Sequence, residues 1–493
     1  MDLLTMLAIF AIDGYKLDHR RQYPFGLQYV LSNWTPRGTR IPDQDFMVWI
    51  GHQHYIKGFL LKVFNEQFFG QDRGKVCDAY QRFVDGYIGP NDIGTQHISD
   101  LHDLGYLPLE ICALPEGTHV PFGVPALTSI NTHPEFGWIV NYLETIQSAN
   151  LWLPSNSATT AWRSRQRLLA AAHETGSDPA FVDWQGHDFS FRGMGGMEAA
   201  ILSGIGHLAL FTGTDTIPAI IAIMSHYSNG LPDDYLIGGS VPATEHSVVC
   251  AGGYGQEIDT LGRLLALYPT GILSYVSDTW DLWKLLTETV VDLREVILAR
   301  DGKLVIRPDS GDPVRILCGD PDAPVGSPAY KGVVELLWEV FGGSATSTGH
   351  RLLDPHIGVI YGDGISEDRE VAILHGLARK GFASGNVVFG DGSYRYQYAT
   401  RDVYAQAMKA TWAQIDDVGH DLFKDPITDT GDKRSAKGRL AVLYDDNHQL
   451  TLVQQASDAD IFRSLLRPVL RDGQLLIDEG WHTIRARAQG VAS

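Results

Sequence analysis

The sequence predicts an α/β fold whose core is an α/β barrel, joined to a second, β-rich domain. Four apolar, β-branched stretches each end in a polar turn that carries Gly or Asp, and helical patterns separate most of them. These stretches are residues 272–278, 304–313, 358–364 and 386–392. An α/β barrel places its active site where the strands end. Four such turns within about 120 residues therefore indicate an active site rather than turns that only connect strands to helices.

The most informative stretch is 304–313, which reads Leu-Val-Ile-Arg-Pro-Asp-Ser-Gly-Asp-Pro. It begins as a buried strand, and its prolines and glycine forbid the strand from continuing unchanged. The planar guanidinium of Arg307 can donate two parallel hydrogen bonds to a phosphate, and the carboxylate of Asp309 is suited to bind a metal ion or sugar hydroxyls. The turn therefore predicts a site for a phosphorylated ligand.

Size and composition limit the classes of function. A chain of 493 residues exceeds one typical domain, so we expect a large core and a second unit. The formal net charge of −20, without a compensating basic run, argues against a nucleic-acid partner. It still allows a small phosphorylated substrate, which needs only local arginines and lysines. The four cysteines are far apart and form no CxxC pair, which indicates a reducing compartment and no zinc ribbon.

Residues 3–12 are apolar except for Thr5. The run lacks the basic flank and cleavage site of a secretory signal, and it is too short to span a bilayer. We interpret it as a buried strand or helix start. No other stretch qualifies as transmembrane, so we expect a cytoplasmic protein with no membrane partner.

Three further elements precede the barrel strands. Residues 107–125 alternate in part and contain Pro-Glu-Gly and Pro-Phe-Gly breaks, which predicts a β-hairpin-like element. Residues 136–152 predict a helix that is mostly core. Residues 160–174 predict an amphipathic helix whose arginines lie on a solvated face.

Residues 187–198 combine a short strand with a Gly-rich turn. Phe189 and Phe191 alternate, and Arg192 stands before the turn and an Ala/Gly-rich helix. Such a turn can bind phosphate at exposed N–H groups, although it matches neither the P-loop nor the GxGxxG spacing. The next predicted strand ends at Asp215. His246 follows a Gly-Gly-Ser turn, and a histidine at a polar strand end is a candidate for chemistry, although a lone histidine is more often structural.

Other motifs are spread over nearly the whole chain. In chain order the set is Asp13-Gly-Tyr-Lys, Leu107-Pro-Leu-Glu-Ile, Pro115-Glu-Gly, His187-Asp-Phe, Phe191-Arg-Gly, Gly213-Thr-Asp-Thr, Val241-Pro-Ala-Thr-Glu-His-Ser, Val276-Ser-Asp, Ile306-Arg-Pro-Asp-Ser-Gly, Gly362-Asp-Gly, Phe389-Gly, Thr400-Arg-Asp, Phe423-Lys-Asp-Pro and Lys433-Arg-Ser-Ala-Lys-Gly-Arg-Leu. With these motifs the chain resembles the nicotinamide phosphoribosyltransferase family, a branch of the type II phosphoribosyltransferases. The resemblance implies that nicotinamide and phosphoribosyl pyrophosphate give nicotinamide mononucleotide and pyrophosphate, in NAD salvage. It also implies a homodimer whose active sites lie at the subunit interface.

The resemblance assigns the nicotinamide side of the site. The ring would stack between Phe189 and Tyr15 of the partner subunit, which suits a flat, electron-poor ring. Arg192 would hold the ligand's phosphate or the carboxamide edge. Asp215 would accept the carboxamide N–H and repel nicotinate, which carries its own negative charge. Asp13 belongs to the same implied substrate-binding set.

The phosphate side needs cations. The matching positions are Arg307 and Arg401, with Arg37, Lys424 and Lys433 reaching over from the partner. Asp309 and Asp363 would bind ribose hydroxyls or Mg²⁺, while Asp278 would orient His246 or share the metal with Asp309. His246 matches the family histidine that ATP phosphorylates, which makes ATP an optional co-substrate.

One loop departs from the family pattern. Gly362 and Gly392 are retained as substrate-binding positions, but Ser393 and Tyr394 stand where relatives have small residues that let backbone N–H groups approach phosphate. Arg395 is a candidate for a new phosphate contact.

Two alternatives stay open beside nicotinamide phosphoribosyltransferase activity. Asp215 argues against nicotinate as the substrate. The joint presence of the implied site residues argues against a non-catalytic homologue that acts as a binding protein, and these residues are Arg307, Asp309, His246, Asp363 and Arg401. For the domains, we expect residues 151–399 to form the barrel-like core, and residues 1–150 and 400–493 to combine into the β-rich domain.

Overall fold

A computed structural model of the chain describes residues 7–362, 364–425 and 435–491. The described chain divides into two compact units. The barrel unit contains Thr159–Ile220 and Leu236–Ala399. The β-rich unit combines the residues up to Ala158 with Ile221–Tyr235 and the residues from Thr400 onward.

Within the described ranges the strands, in chain order, are β1 Leu27–Thr35, β2 Phe46–Val48, β3 Leu109–Ala113, β4 His119–Pro121, β5 Leu127–Asn131, β6 Gly186–Asp188, β7 Gly213–Thr214, β8 Thr270–Val276, β9 Asp301–Arg307, β10 Gly343–Ala345, β11 Arg351–Leu353, β12 Ile357–Tyr361, β13 Val387–Asp391, β14 Ala407–Ile415, β15 Val418–Asp421, β16 Leu440–Tyr444, β17 Leu450–Gln454, β18 Arg467–Arg471 and β19 Gln474–Leu475.

The longer helices of the described chain are Arg73–Ile88, Gln96–Leu104, Glu144–Thr175, Met197–Leu208, Ile217–His226, His246–Gly252, Glu257–Leu267, Val333–Phe341, Glu367–Arg379 and Trp481–Ala488. Shorter α-helices are Leu7–Phe10, His19–Gln22, His52–Tyr55, Ile139–Tyr142, Val182–Gln185, Leu282–Lys284, Val290–Asp292, Arg294–Leu298, Pro313–Cys318, Pro328–Lys331, Ser393–Tyr396 and Asp458–Arg463. The 3₁₀ and π-helical turns are Gly14–Asp18, Ile56–Val63, Asn65–Phe69, Pro134–Phe136, Pro179–Phe181, Phe191–Gly193, Leu285–Thr289, Ser384–Asn386 and Arg401–Tyr404. None of these helices combines the length and apolarity needed to cross a bilayer.

The barrel unit is built around a parallel sheet in the order β7-β6-β13-β12-β9-β8. The segment 239–243 joins its two edges, because Gly239 bridges to Gly213 of β7 and Ala243 bridges to Ser274 of β8, both in parallel orientation. The sheet therefore closes on itself. Strands β8, β9, β12 and β13 contain apolar, β-branched runs, as expected for strands covered on both faces. The predicted α/β barrel is confirmed.

The β-rich unit contains an antiparallel sheet in the order β15-β14-β1-β5-β3-β18-β19. Strand β1 from the N-terminal segment pairs with β14 from the C-terminal segment, from Leu27 opposite Ile415 to Thr35 opposite Ala407. The predicted β-rich domain built from both ends of the chain is therefore confirmed. Its core includes the fully buried indoles of Trp34 and Trp49.

The predicted hairpin over residues 107–125 is wrong. Strand β3 pairs with β5 and β18, whereas β4 pairs with β2. The Pro-Glu-Gly turn between β3 and β4 is hydrogen-bonded to the segment that follows β2. Gly117 N–H donates to Trp49 O at 2.6 Å, and Gln53 N–H donates to Glu116 Oε1 at 2.7 Å. These bonds direct the chain away from β3.

The arginines of the predicted 160–174 helix do not lie on a merely solvated face. They belong to the helix Glu144–Thr175, where Arg167 pairs with Glu370 at 2.7 Å and Arg163 pairs with Glu367 at 2.7 Å. Two acidic residues on the helix Glu367–Arg379 thus receive them, a pairing that helical periodicity does not reveal. At the other end of the chain, the described part of the apolar N-terminal run forms the helix Leu7–Phe10, and Ala8 and Ile9 are buried as expected.

Candidate active site

The carboxyl ends of the parallel strands carry the predicted polar residues. Because the strands are parallel, their ends lie at the same side of the barrel. Acidic side chains follow or end five strands: Asp188 on β6, Asp215 after β7, Asp278 after β8, Asp309 after β9 and Asp391 on β13. Asp363, which was predicted to follow β12, lies outside the described residues. The edge is therefore rich in carboxylates, as the sequence predicts.

Asp215 is held by two side chains. Its Oδ1 accepts hydrogen bonds from His187 Nε2 at 3.0 Å and from Ser240 Oγ at 2.5 Å, and its backbone N–H donates to Asp188 O. Burial raises the pKa of Asp215, but the hydrogen bonds from His187 and Ser240 outweigh it, so the pKa lies below its ordinary value. Asp215 is therefore a fixed, ionised acceptor. Oδ2 makes no hydrogen bond to the described part of the chain.

Phe189 and Arg192 follow β6, the strand that carries His187. The ring of Phe189 is tilted against that of His187, with centroids 4.6 Å apart, and its backbone N–H donates to Asp391 O at 2.9 Å. Arg192 lies in the turn Phe191–Gly193 and is exposed. Its guanidinium makes no hydrogen bond or ion pair with the described residues, which leaves it available to an anionic ligand.

His246 begins the helix His246–Gly252, and its Nε2 lies 3.2 Å from Asp278 Oδ1. The other oxygen of Asp278 accepts from Asp309 N–H at 3.1 Å and from Ser310 Oγ at 2.5 Å. Asp278 therefore links the imidazole to the turn after β9. Within the described chain Nδ1 of His246 makes no hydrogen bond, and the imidazole is half-exposed.

Arg307, Asp309 and Gly362 meet at the ends of β9 and β12. A Cβ added to Gly362 would lie 2.6 Å from Asp309 Oδ1 and 3.7 Å from an Arg307 terminal nitrogen. A glycine is thus needed for Asp309 to keep its place. The Arg307 guanidinium donates to Thr244 O, while its buried Nε has no hydrogen-bond partner among the described residues. An unsatisfied buried cationic donor at this edge fits an anionic ligand.

The loop after β13 differs from the prediction for Arg395. Arg395 is buried, and its Nε donates to Asp391 Oδ1 at 2.8 Å while a terminal nitrogen pairs with Glu370. Because carboxylates bind two of its nitrogens and the side chain is only 3% exposed, the guanidinium is enclosed by the protein and is not open to a phosphate ligand. A Cβ on Gly392 would meet nothing within 4 Å, so space for a ligand remains there, whereas Ser393 packs on Gly193.

The predicted cations of the β-rich unit are grouped around a pocket of about 1490 Å³. Arg37 lines it, with its Nε donating to Ala405 O at 2.8 Å. Lys409 lines it as well, and burial lowers the pKa of Lys409, an effect that nearby Arg37, Arg401 and Lys424 reinforce and Glu144 opposes. The structure thus brings these cations together. Lys433 lies outside the described residues.

Three basic residues of this pocket, Arg40, Lys409 and Lys437, were missed by the sequence analysis. The sequence did carry a signal for Lys409, which is the first basic residue after the Thr400-Arg-Asp motif and lies on β14. Asp13 and Tyr15 also belong to the β-rich unit. Asp13 accepts from Thr145 Oγ1 at 2.7 Å, and the ring of Tyr15 is 63% exposed and therefore available for stacking.

A closed parallel barrel whose strand ends carry carboxylates and arginines is the architecture of an α/β-barrel enzyme. The profile of the nicotinate phosphoribosyltransferase (NAPRTase) family matches residues 184–474, and the chain belongs to this family. The predicted resemblance to the type II phosphoribosyltransferases is confirmed.

Similar proteins are named for both pyridine bases. The nicotinamide phosphoribosyltransferase of Acinetobacter baylyi is 48% identical over 97% of this chain and 96% of its own length. The protein of the same name from Mycoplasma pneumoniae is 33% identical over 88% of this chain and 95% of its own length. A crystal structure of nicotinate-nucleotide pyrophosphorylase from Pyrococcus furiosus matches with a TM-score of 0.59 at 15% identity, covering 98% of this chain and 95% of that one. The last likeness supports the fold alone.

Proposed function

We propose that this chain is a pentosyltransferase of NAD salvage, which joins nicotinamide to 5-phosphoribosyl 1-pyrophosphate and gives nicotinamide mononucleotide and pyrophosphate. The observation that carries the proposal is the Asp215 carboxylate, fixed by His187 and Ser240 beside Phe189. Extensive identity to proteins named nicotinamide phosphoribosyltransferase supports it.

Asp215 distinguishes the two candidate bases. With Oδ1 occupied, Oδ2 is left to accept an N–H of the carboxamide. Nicotinate has no such donor and places a second negative charge against the carboxylate, which costs binding free energy. Phe189 provides one aromatic face for the ring, and Tyr15 of the partner subunit provides the other. Nicotinate is therefore the second candidate, which the geometry of Asp215 disfavours.

The transfer breaks the bond between the ribose anomeric carbon and the pyrophosphate oxygen and forms a bond from that carbon to the pyridine nitrogen. Positive character develops on the ribose while negative charge grows on the leaving group. Arg307 supplies a charged donor for that anion, and Asp309 accepts from the ribose hydroxyls. These residues stabilise charges that are largest in the transition state.

The acidic residues at this edge fit Mg²⁺ through one protein ligand. The Asp309 carboxylate makes no hydrogen bond to the described chain, whereas both oxygens of Asp278 are engaged. Mg²⁺ is commonly held by one or two carboxylates together with substrate phosphates and water. Asp309 would hold it, and Asp278 would share it only by giving up a hydrogen bond. When bound, the ion neutralises charge on the leaving pyrophosphate.

ATP is proposed as an optional co-substrate. His246 presents Nδ1 without a protein partner among the described residues, and Asp278 fixes the imidazole through Nε2. The imidazole nitrogen would take the γ-phosphoryl group as the bond to ADP breaks, with the ring proton held by Asp278. The resulting phosphohistidine adds negative charge beside the pyrophosphate position and so couples ATP hydrolysis to substrate binding.

A homodimer is proposed because the cations are divided between the two units. The barrel edge contains Arg307 and Arg192, while the pocket around Lys409 gathers Arg37, Arg401 and Lys424. An active site shared between subunits would let the pocket of one chain complete the barrel edge of its partner. The phosphates would then receive cations from both chains.

The cytoplasm is the proposed location. All four cysteines are free thiols, and two of them, Cys77 and Cys112, are only partly buried. Free thiols persist in a reducing compartment.

The test is mononucleotide formation from phosphoribosyl pyrophosphate and Mg²⁺, with nicotinamide and nicotinate in parallel, each with and without ATP. We expect turnover of nicotinamide, no comparable turnover of nicotinate, and stimulation by ATP. Turnover of nicotinate alone would overturn the role of Asp215. The absence of turnover with either base would favour a non-catalytic homologue that acts as a binding protein.

A further inference from the structure

A buried group of charges lies beneath the loop that follows β13. The guanidinium of Arg395 is 3% exposed and contacts two carboxylates that are equally buried, those of Asp391 and Glu370. Glu370 also pairs with Arg167 Nε at 2.7 Å and accepts from Ser164 Oγ at 2.7 Å. The side chain of Arg395 therefore joins the helix Ser393–Tyr396 to Glu370 on the helix Glu367–Arg379.

The group extends to a buried histidine and tyrosine. His207 Nδ1 lies 3.9 Å from Asp391 Oδ2 and hydrogen-bonds Tyr396 Oη at 2.6 Å, while its Nε2 bonds Gly213 O at 2.9 Å. The segment 391–396 is thus fixed by the ion pairs of Arg395 and by the hydrogen bond between His207 and Tyr396. Arg395 Nη1 and Arg167 Nη2 are buried without a hydrogen-bond partner among the described residues, so the ion pairs, rather than complete hydrogen bonding, hold this group.

The same segment also contacts the turn that bears Arg192 and the backbone of Phe189, two residues proposed to bind substrate. Gly193 packs so closely on Ser393 that an added Cβ would lie 2.5 Å from the serine Cβ. Gly195 N–H donates to Gln397 Oε1 at 2.9 Å, which places the turn bearing Arg192 directly on the segment. Asp391 O accepts from Phe189 N–H at 2.9 Å. Movement of the segment would therefore displace both Arg192 and Phe189.

We propose that Arg395 is a positioning residue: through its ion pairs with Asp391 and Glu370, it holds segment 391–397 in the place from which that segment sets the Arg192 turn and Phe189 for substrate binding. This inference rests on the proposed function, because it concerns binding at the same site. Arg395 touches no substrate atom, and its effect passes entirely through the two contacts with Gly193 and Gly195 and the Phe189–Asp391 bond.

The ion pair must be removed without leaving one buried charge alone, since a lone buried charge destabilises the fold. The double variant Asp391→Asn with Arg395→Met removes both members, and Glu370 keeps Arg167 and Ser164 as partners. Arg395→Lys is the conservative variant, which retains the charge but not the planar fork. Arg163→Gln is the matched control, because Arg163 pairs with Glu367 on the same helix and does not contact Arg395.

The measurement combines thermal unfolding, steady-state kinetics and calorimetric binding of phosphoribosyl pyrophosphate. We expect the double variant to melt cooperatively, its KM for nicotinamide and its KM and Kd for phosphoribosyl pyrophosphate to rise about tenfold or more, and kcat to change far less. Arg395→Lys should recover part of the lost affinity, and Arg163→Gln should match the wild type in KM and Kd.

Wild-type KM and Kd in a folded double variant would overturn the positioning role. So would a uniform loss of kcat at unchanged KM and Kd. The wild-type protein separates this inference from the proposed function: if it binds phosphoribosyl pyrophosphate but turns over neither base, the Kd values still decide on Arg395. If it does not bind phosphoribosyl pyrophosphate at all, both proposals are overturned.

Discussion

His187 and Asp215, which are 28 positions apart in the sequence, meet with Nε2 and Oδ1 3.0 Å apart. Strands β6 and β7 pair in parallel with His187 opposite Gly213, so the register itself brings the two side chains to one edge. The imidazole and Ser240 together leave one oxygen of Asp215 for a ligand. Under the proposed function, base selection therefore depends on strand register as well as on residue type.

Replacing Asp215 with Asn should reduce the preference for nicotinamide. The variant loses the charge that repels nicotinate, so we expect kcat/KM for nicotinamide to fall about 10- to 100-fold and the nicotinate-to-nicotinamide ratio to rise. Parallel assays with the two bases measure this. Asp183→Asn serves as the control, because Asp183 pairs with Arg165 instead. A variant that keeps the wild-type preference would contradict the assignment.

His246→Asn should abolish ATP hydrolysis, because the phosphoryl acceptor is gone. Asp278→Asn should slow hydrolysis by about tenfold, since it removes the charge that orients the imidazole at 3.2 Å. Phosphate release and acid-labile label on the protein report both effects. The exposed His375 provides the control variant His375→Asn. Intact ATP turnover in His246→Asn would rule out this histidine as the acceptor.

Lys409→Met should weaken binding of phosphoribosyl pyrophosphate. Loss of one charged donor from a pocket of clustered cations predicts a KM about tenfold higher and a smaller dependence of KM on salt concentration. Lys331→Gln, which removes a lysine paired with Glu339, is the control. An unchanged KM and salt dependence would show that the pocket does not receive the substrate's phosphates.

Acid should destabilise the fold through buried histidines. Burial lowers the pKa of His52, His54 and His97 to about 3, so between pH 6.5 and 3 only the unfolded chain binds these protons, and stability falls as the pH drops. Each histidine contributes about 1.4 kcal/mol per pH unit in that window. Burial also raises the pKa of Glu116 to about 7, which opposes part of the loss.

His97→Gln isolates one of these contributions. Between pH 7.5 and pH 5, we expect its free energy of unfolding to fall about 2 kcal/mol less than that of the wild type. Urea unfolding at the two pH values measures the difference, with the exposed His173→Gln as the control. Glu116 is present in the wild type and in both variants, so its contribution cancels when their changes in the free energy of unfolding are compared. Equal pH dependence in wild type and His97→Gln would be evidence against a buried neutral imidazole.

Gly193→Ala should disturb the site through a steric clash, because the new Cβ would lie 2.5 Å from the Cβ of Ser393. We expect KM for phosphoribosyl pyrophosphate to rise about tenfold or more as the Arg192 turn moves. Removing the Ser393 side chain in the double variant Gly193→Ala with Ser393→Gly relieves the clash and should recover most of the affinity. If the double variant were no better than Gly193→Ala, the contact would not explain the loss.

The barrel was predictable because its strands are local signals. Apolar β-branched runs that end in Ser-Asp, Arg-Pro-Asp or Gly-Asp turns identify β8, β9, β12 and β13 without any knowledge of their pairing. Segment 239–243 closes the barrel through single bridges to Gly213 and Ser274, and so short a segment has no strand-like periodicity. The 107–125 region was mispredicted because alternation specifies a strand but not its partner.

Long-range charge pairing was the other gap. Arg395 appears as a loop arginine close to predicted phosphate contacts, whereas its partners are Asp391 one turn before it and Glu370 on another helix. Charged residues are rarely buried unless paired, and the sequence does not show the pair. Predicted site residues such as Asp215 and Arg307 instead stand directly at strand ends, where a local sequence pattern reveals them.

The pairing of β1 with β14 has a consequence for how the polypeptide is made. Strand β1 is synthesised long before β14, its partner on one edge. The backbone groups on that edge of β1 therefore have no strand partner until residues 407–415 have been synthesised. Non-local strand pairs form slowly, and exposed edges invite association between chains. Chains truncated before Ala407 should therefore form insoluble product more readily than chains that include β14.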